Sequence, residues 1–187
     1  TPGCEIVMAE LLRKFALNIS DVTRNVYADV DVRIAQHPSE TIRSLTLRML
    51  ARALEHDDGL QFSAGVSDGD NPAIALRDLT GKLTGWIDVG LPAPERMHKA
   101  TKQAARVAVY GSHRLQELVD ELHAQKVFRA AEIDVLFWEP AFLDELAATI
   151  DRNNTWSVSR NDDDIYVEAN GTSLSTTIQR LRARDAQ

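Results

Sequence analysis

The chain of 187 residues contains a single cysteine, Cys4, and no long apolar run. One cysteine cannot form a disulfide within the chain, which suits a reducing compartment. No stretch approaches the roughly 18 apolar residues of a membrane span, and no signal peptide is recognisable. These absences predict a cytoplasmic protein that does not associate with a membrane.

Basic residues are also in deficit, since 21 lysines and arginines face 28 aspartates and glutamates, for a net charge of −7. Broad, non-specific adhesion to nucleic acid needs a basic surface that replaces counterions, so this balance argues against it. A locally basic groove remains compatible with the same total charge.

The chain is long enough for one substantial core, and it contains no repeat, low-complexity tract or domain linker. Residues 1–7 precede Met8 and follow no clear pattern, so we interpret them as an upstream extension. A single α/β domain is therefore predicted over residues 8–187. The oligomeric state and the partner are left open.

Alternating apolar residues predict strands, and apolar residues at helical spacing predict helices. The predicted strands cover residues 11–19, 26–34, 60–63, 73–78, 83–89, 106–110, 131–138, 155–160 and 164–169. The predicted helices cover residues 39–58, 92–105, 112–125, 140–150 and 173–184. Ser39 is the expected N-cap of the first helix and Gly59 its expected end.

The order of elements between residues 39 and 110 is helix, strand, strand, strand, helix, strand. Strands joined by short turns pair antiparallel, whereas parallel neighbours need a helical crossover. The order αβββαβ therefore predicts a mixed β-sheet with helices on its faces.

Common catalytic motifs are missing. The sequence has no CxxC pair, HExxH, GxSxG or GxxxxGK motif, and its five histidines show no zinc-binding spacing. The most unusual stretch is GWIDVGLP, residues 85–92, whose pattern predicts a buried strand with Asp88 in its middle. A carboxylate among apolar residues is costly unless it is paired, hydrogen-bonded or bound to a metal.

Other charged and polar residues in the same block could join Asp88. These are Glu40 in the first turn of the first helix, Asp78 at a strand end, and Lys99, Lys102, Gln103 and Arg106 on or after the next helix. Carboxylates that converge at a sheet edge suit Mg²⁺ or Mn²⁺. A divalent ion with a nearby lysine can activate water against a phosphodiester.

Several of these residues also have a simpler interpretation. Glu40 would complement the helix dipole, Asp78 would cap a turn, and Lys99 would belong to the solvated face of an amphipathic helix. Asp88 would form a buried structural ion pair with Lys99.

Several separate stretches, in order, resemble the YaeQ family. They are Asn18 to Tyr27 (NISDVTRNVY), Arg33 to Thr41 (RIAQHPSET), Gly65 to Pro72 (GVSDGDNP), Arg77 to Gly81 (RDLTG), Trp86 to Gly90 (WIDVG) and Arg96 to Ala100 (RMHKA). The resemblance extends from Met8 to the last predicted helix. It implies a bacterial protein with a variant of the PD-(D/E)XK nuclease fold, and a loose link to transcription.

The resemblance also implies site roles. Glu40 matches the helix glutamate of that fold and Asp88 the first acid of (D/E)-X-K, while Gly90 stands where the motif has lysine. Lys99 matches the lysine of the YaeQ pattern, and Gln103 would assist in positioning. The second acid is either Asp78, on a strand, or Asp70, in a loop beside Asn71-Pro72.

Two functions follow as expectations. One is a metal-dependent phosphodiesterase acting on nucleic acid, with Mg²⁺ or Mn²⁺ held by Glu40, Asp88 and Asp78 or Asp70. The other is a non-catalytic module of the same fold that binds a protein or nucleic-acid partner.

Overall fold

Two β-sheets and four helices make up the computed structural model, which describes residues 11–63 and 70–183. The helices are α1 (Ile42–Leu54), α2 (Pro94–Gln103), α3 (Leu115–Ala124) and α4 (Pro140–Ala148). The strands are β1 (Leu11–Asp21), β2 (Val26–Gln36), β3 (Leu60–Phe62), β4 (Ile74–Arg77), β5 (Leu83–Val89), β6 (Arg106–Gly111), β7 (Asp134–Phe137), β8 (Asn153–Asn161), β9 (Asp164–Ala169), β10 (Thr172–Thr177) and β11 (Gln179–Leu181). None of the described helices is both long and apolar enough to cross a membrane.

The two sheets differ in composition and connectivity. The five-stranded sheet has the order β10-β9-β8-β1-β2, in which β1 and β8 are parallel. The six-stranded sheet has the order β11-β7-β6-β5-β4-β3, in which β5, β6 and β7 are parallel to one another. Both sheets are therefore mixed, and the α/β class and the αβββαβ order from α1 to β6 are as predicted.

Two apolar clusters arrange the elements in layers. One cluster joins the inner face of the five-stranded sheet, α1, α4 and one face of the six-stranded sheet. The other joins the opposite face of the six-stranded sheet to α2 and α3. Helix α1 thus lies between the sheets, which explains why every residue from Leu45 to Leu54 is buried.

The sheet count differs from the prediction of one sheet. The first hairpin, β1–β2, pairs through β1 with β8, which lies more than 130 residues along the chain. A pairing of that range leaves no local pattern in the sequence, because periodicity reports only which face of a strand is buried.

The predicted helix over residues 173–184 is wrong, since β10 and β11 occupy this region. Leu174, Ile178 and Leu181 imitate a helical spacing. The decisive signal is Asn170-Gly171, whose positive φ angles of 50° and 86° form the two-residue turn between β9 and β10. Asn-Gly favours that turn strongly, and the serines and threonines that follow favour a strand.

The boundaries of α1 also differ from the prediction. Thr41, not Ser39, is the N-cap, because its extended backbone lets Oγ1 accept the N–H of Ser44. Glu40 therefore precedes the helix instead of lying in its first turn. The helix ends at the C-cap Glu55, ahead of Gly59. The proposed extension of residues 1–7 lies outside the described residues.

Candidate functional site

Asp88 is the second-to-last residue of β5 and is only 3% exposed. Its Oδ1 accepts hydrogen bonds from the Ala73 N–H at 3.0 Å and from Arg96 Nη2 at 2.9 Å. Its Oδ2 accepts from Trp86 Nε1 at 2.8 Å and from Arg96 Nε at 2.6 Å. The carboxylate thus accepts four N–H hydrogen bonds, two of them from the Nε and Nη2 edge of the Arg96 guanidinium group.

Arg96 reaches Asp88 from the first turn of α2 and holds several elements together. Its guanidinium group lies 5.2 Å from the centre of the Trp86 ring. Its Nη2 also donates to the carbonyl oxygen of Asn71 at 2.6 Å. The Asp88–Arg96 pair, with Trp86 and the backbone at 71–73, is named here the Asp88 clamp. It fixes α2 and the segment before β4 to the central strand β5.

Lys99 does not pair with Asp88, contrary to one sequence interpretation. Its Nζ donates to the carboxylate of Asp70, at the described end of the loop that precedes β4. Lys99 lies one turn after Arg96 on α2, so the two pairs are neighbours. The structure therefore places Asp70, Asp88 and Lys99 toward the same end of β5.

Asp78 lies away from this group. It follows β4 at the tip of the β4–β5 hairpin, whereas Asp70 precedes β4, so the two acids are at opposite ends of that strand. Its Oδ1 accepts hydrogen bonds from the Thr80 hydroxyl and from the N–H groups of Thr80 and Lys82. These bonds, the Thr80 hydroxyl foremost, lower the pKa of the Asp78 carboxyl. Asp78 stabilises a turn, and Asp70 is the acid beside Asp88.

Glu40 lies in another layer. Its two carboxylate oxygens accept from Arg48 Nε and Nη2, both at 2.7 Å, and both residues are buried. Arg48 belongs to α1 and also donates to the Ala35 carbonyl of β2. Ile87 packs in the cluster that contains α1, and neighbouring side chains of a strand point to opposite faces. Asp88 therefore points away from the layer that contains Glu40.

The remaining candidates, Lys102, Gln103 and Arg106, do not lie together. Gln103 is exposed at the end of α2, as is Lys102. Arg106, at the start of β6, pairs with Glu55 and Asp134. It belongs with Tyr110 on the face of β6 that looks toward α1, not on the face beneath Lys99.

Gly90 has a conformational role. Its φ of +88° lies in the left-handed region, where a side chain is strained, and its N–H donates to the Tyr110 carbonyl at 2.8 Å. Strand β5 ends at Val89, so position 90 already belongs to the turn that leads to α2. A lysine at this position would not extend from the strand as the nuclease motif requires.

These partners bear on whether Mg²⁺ or Mn²⁺ fits the predicted ligands. Both oxygens of Asp88 and of Glu40 already accept N–H donors, and Asp78 is engaged in its turn. Among the residues that the structure describes, no group of three or more histidine, cysteine, aspartate or glutamate side chains could hold a metal ion. In this arrangement the predicted ligands do not fit a divalent ion.

A second charged cluster was missed by the sequence reasoning. Glu55, the C-cap of α1, is bound by Arg106 and accepts from the Tyr110 hydroxyl at 2.6 Å. Burial by itself raises the pKa of Glu55, but the hydrogen bonds and charge of Arg106 outweigh it and leave that pKa lowered. Burial, with the neighbouring Glu55 charge, raises the pKa of Tyr110. No local motif marks these residues, because Arg106 and Tyr110 lie 51 and 55 positions after Glu55 in the chain.

Together these features define a single-domain α/β protein with two mixed sheets and an internally paired charged site beside β5. The family model described as YaeQ protein matches residues 8–178. The chain belongs to the YaeQ family.

Relatives with known sequences agree with this assignment. The chain is 32% identical to "Uncharacterized protein YaeQ" of Salmonella typhi over 155 residues, which are 82% of this chain and 86% of that protein. It is 30% identical to the Escherichia coli K12 protein of the same description over 166 residues, 88% of this chain and 92% of the relative.

Two solved structures share the fold. The crystal structure of YaeQ protein from Xanthomonas axonopodis pv. citri superposes with a TM-score of 0.84 at 32% identity, covering 94% of this chain and 100% of that one. The YaeQ protein from Pseudomonas syringae gives a TM-score of 0.80 at 30% identity, covering 94% and 97%.

Proposed function

We propose that this chain is a non-catalytic module that has the αβββαβ order of a PD-(D/E)XK fold and acts by binding a protein partner. The saturation of Asp88 carries this proposal. A carboxylate that accepts four N–H donors has no lone pair left for a metal ion or for activating water. Its role is then to hold α2 and the segment before β4 in place.

Two further observations support this function. Gly90 has a backbone conformation that disfavours the lysine of the nuclease motif. The net charge of −7 opposes a phosphate backbone, so a protein is the better partner class than nucleic acid. A link to transcription, implied by the family resemblance, would then pass through protein contacts.

The alternative function is a metal-dependent phosphodiesterase. The observation that favours it is the pair of Asp70 and Lys99 beside Asp88, since these are two acids and a lysine at one end of β5. For this function Arg96 would have to release Asp88, because the present arrangement does not fit an ion.

One experiment separates the two functions. The melting temperature of the wild-type chain is measured with EDTA, with millimolar Mg²⁺ and with millimolar Mn²⁺, and the same samples are incubated with single- and double-stranded DNA and RNA. We expect no metal-dependent shift and no cleavage. The matched variants are Asp88→Asn, in the clamp, and Asp78→Asn, in the hairpin turn.

The contrary result is specific. A rise in melting temperature with Mn²⁺, together with cleavage, that Asp88→Asn abolishes and Asp78→Asn preserves, would establish the enzyme and overturn the binding module.

A further inference from the structure

The outer face of the five-stranded sheet is covered by no described element. Helices α1 and α4 pack on its inner face, where Phe15, Leu17 and Trp156 join the shared core. The outward side chains alternate with these and are mostly small and polar. An open cavity of about 590 Å³ lies on this face between β2 and β9.

Small side chains form the floor of this cavity and acidic side chains form its walls. Ala16 and Ser157 lie on the two central strands, β1 and β8. Asp29 and Asp31 project from β2 on one side, and Glu168 projects from β9 on the other. This surface, walled by Asp29, Asp31 and Glu168, is named here the acidic trough.

Cationic side chains flank the trough but do not line it, since Lys14 and Arg33 form the register row beyond Ala16 and Asp31. Among the described residues that line it, none is a lysine or an arginine. Asp29 accepts a hydrogen bond from the neutral Asn18 amide at 2.8 Å, and within the described chain none of the three carboxylates forms an ion pair. Like charges on one face repel each other, so a cationic occupant is favoured electrostatically.

The spacing of the charges selects the kind of cation. Asp29, Asn18, Ser157 and Glu168 stand in one register row across four strands. Three strand spacings separate the two walls by about 14 Å at the Cα atoms. A single metal ion cannot bridge that distance. An extended chain that carries several separate positive charges can contact both walls.

Two exposed tyrosines point to the same occupant. Tyr27 and Tyr166 lie on this face two residues from Asp29 and Glu168, and they are 61% and 56% exposed. Lysine and arginine side chains stack favourably on such rings. Ser20 and Ser159 separate the tyrosines in the neighbouring register row, so the floor offers hydroxyl groups to a peptide backbone.

We propose that the acidic trough is a docking surface for an extended, lysine- or arginine-rich segment of a partner protein. This rests on the proposed function in that it names the class of partner. The trough is on the other sheet and shares no residue with the Asp88 clamp, so the two proposals fail separately.

The test uses a fluorescent peptide of alternating lysine and serine, with a glutamate-serine peptide as the reference, and fluorescence anisotropy at low salt. The trough variant is Asp29→Asn with Asp31→Asn and Glu168→Gln. The control variant is Glu121→Gln with Glu139→Gln and Glu145→Gln, three exposed acids on or beside α3 and α4. Both variants change the net charge by the same amount.

We expect the lysine peptide to bind the wild-type chain, the trough variant to bind it about tenfold more weakly, and the control variant to stay within about twofold. Amide chemical shifts of Asn18 and Ser157 should move on binding. Equal weakening by both variants, no binding of the lysine peptide, or equally strong binding of the glutamate-serine peptide would each overturn the proposal.

Discussion

Asp88 and Arg96 depend on each other because the carboxylate is buried and, among the described residues, Arg96 is the one cation that reaches it. Lys99, although it is only one turn away, is occupied by Asp70. The partner of Asp88 is therefore Arg96, whereas the sequence interpretation had paired Asp88 with Lys99.

A double-mutant cycle tests that assignment. Arg96→Ala leaves the Asp88 carboxylate buried without its cation, and we expect a loss of about 3 kcal/mol in the free energy of unfolding. The coupling energy between Asp88 and Arg96 should be about 2 kcal/mol, and that between Asp88 and Lys99 below about 0.5 kcal/mol. Urea unfolding of the single and double alanine variants measures both. A larger coupling with Lys99 would contradict the clamp.

The buried Glu55 carboxyl group, paired with Arg106, should make the stability of the fold depend on pH. Because the folded state lowers the pKa of Glu55, the ionised carboxylate stabilises the fold above its unfolded value of about 4.3. This contribution is lost as pH falls from that value through the lowered folded pKa. As pH is lowered through this range, we therefore expect the free energy of unfolding to fall less for Glu55→Gln than for the wild-type chain.

The measurement is the unfolding free energy of the wild-type chain and Glu55→Gln between about pH 3 and 7. Glu145→Gln is the control, since Glu145 is an exposed acid of α4. A difference between wild type and Glu55→Gln that does not change with pH would contradict the prediction.

At the scale of elements, the start of α1 offers a sharp comparison. Thr41 caps the helix, whereas Ser39 lies outside it and contacts His37. We expect Thr41→Ala to reduce the unfolding free energy by about 1 kcal/mol. Ser39→Ala should change it by less than about 0.5 kcal/mol. A greater loss for Ser39→Ala in thermal or urea unfolding would place the cap at the earlier residue.

The elements also show how far local pattern reaches. The hairpins β1–β2 and β8–β9, the strand β5 and the helices α2 and α4 were predicted near their observed bounds, since their periodicity and turn residues agree. The last helix failed because Leu174, Ile178 and Leu181 outweighed the Asn170-Gly171 turn. That turn is local, so the sequence did contain the correct signal.

For the whole molecule, the shared core between the sheets predicts cooperative unfolding. Leu50 of α1 is fully buried in a cluster with residues of both sheets. Leu50→Ala should reduce the free energy of unfolding by about 3 kcal/mol. The stability of both sheets should fall together.

Native-state hydrogen exchange measures this at the amides of Ile87, in the six-stranded sheet, and Trp156, in the five-stranded sheet. Their opening free energies should fall by amounts that agree within about 1 kcal/mol. Loss of protection in one sheet alone would show that the sheets unfold separately.

The sequence by itself determined the α/β class, the αβββαβ order and the isolation of Asp88 in an apolar strand, because burial periodicity and turn chemistry are local. It also named Lys99 and, as an alternative to Asp78, Asp70, and these two pair with each other. Only the tertiary structure decided that Arg96 is the partner of Asp88, that Glu40 belongs to another layer, and that no described element covers one sheet face. Those outcomes depend on contacts between residues distant along the chain, and such contacts produce no repeating pattern in the amino-acid sequence.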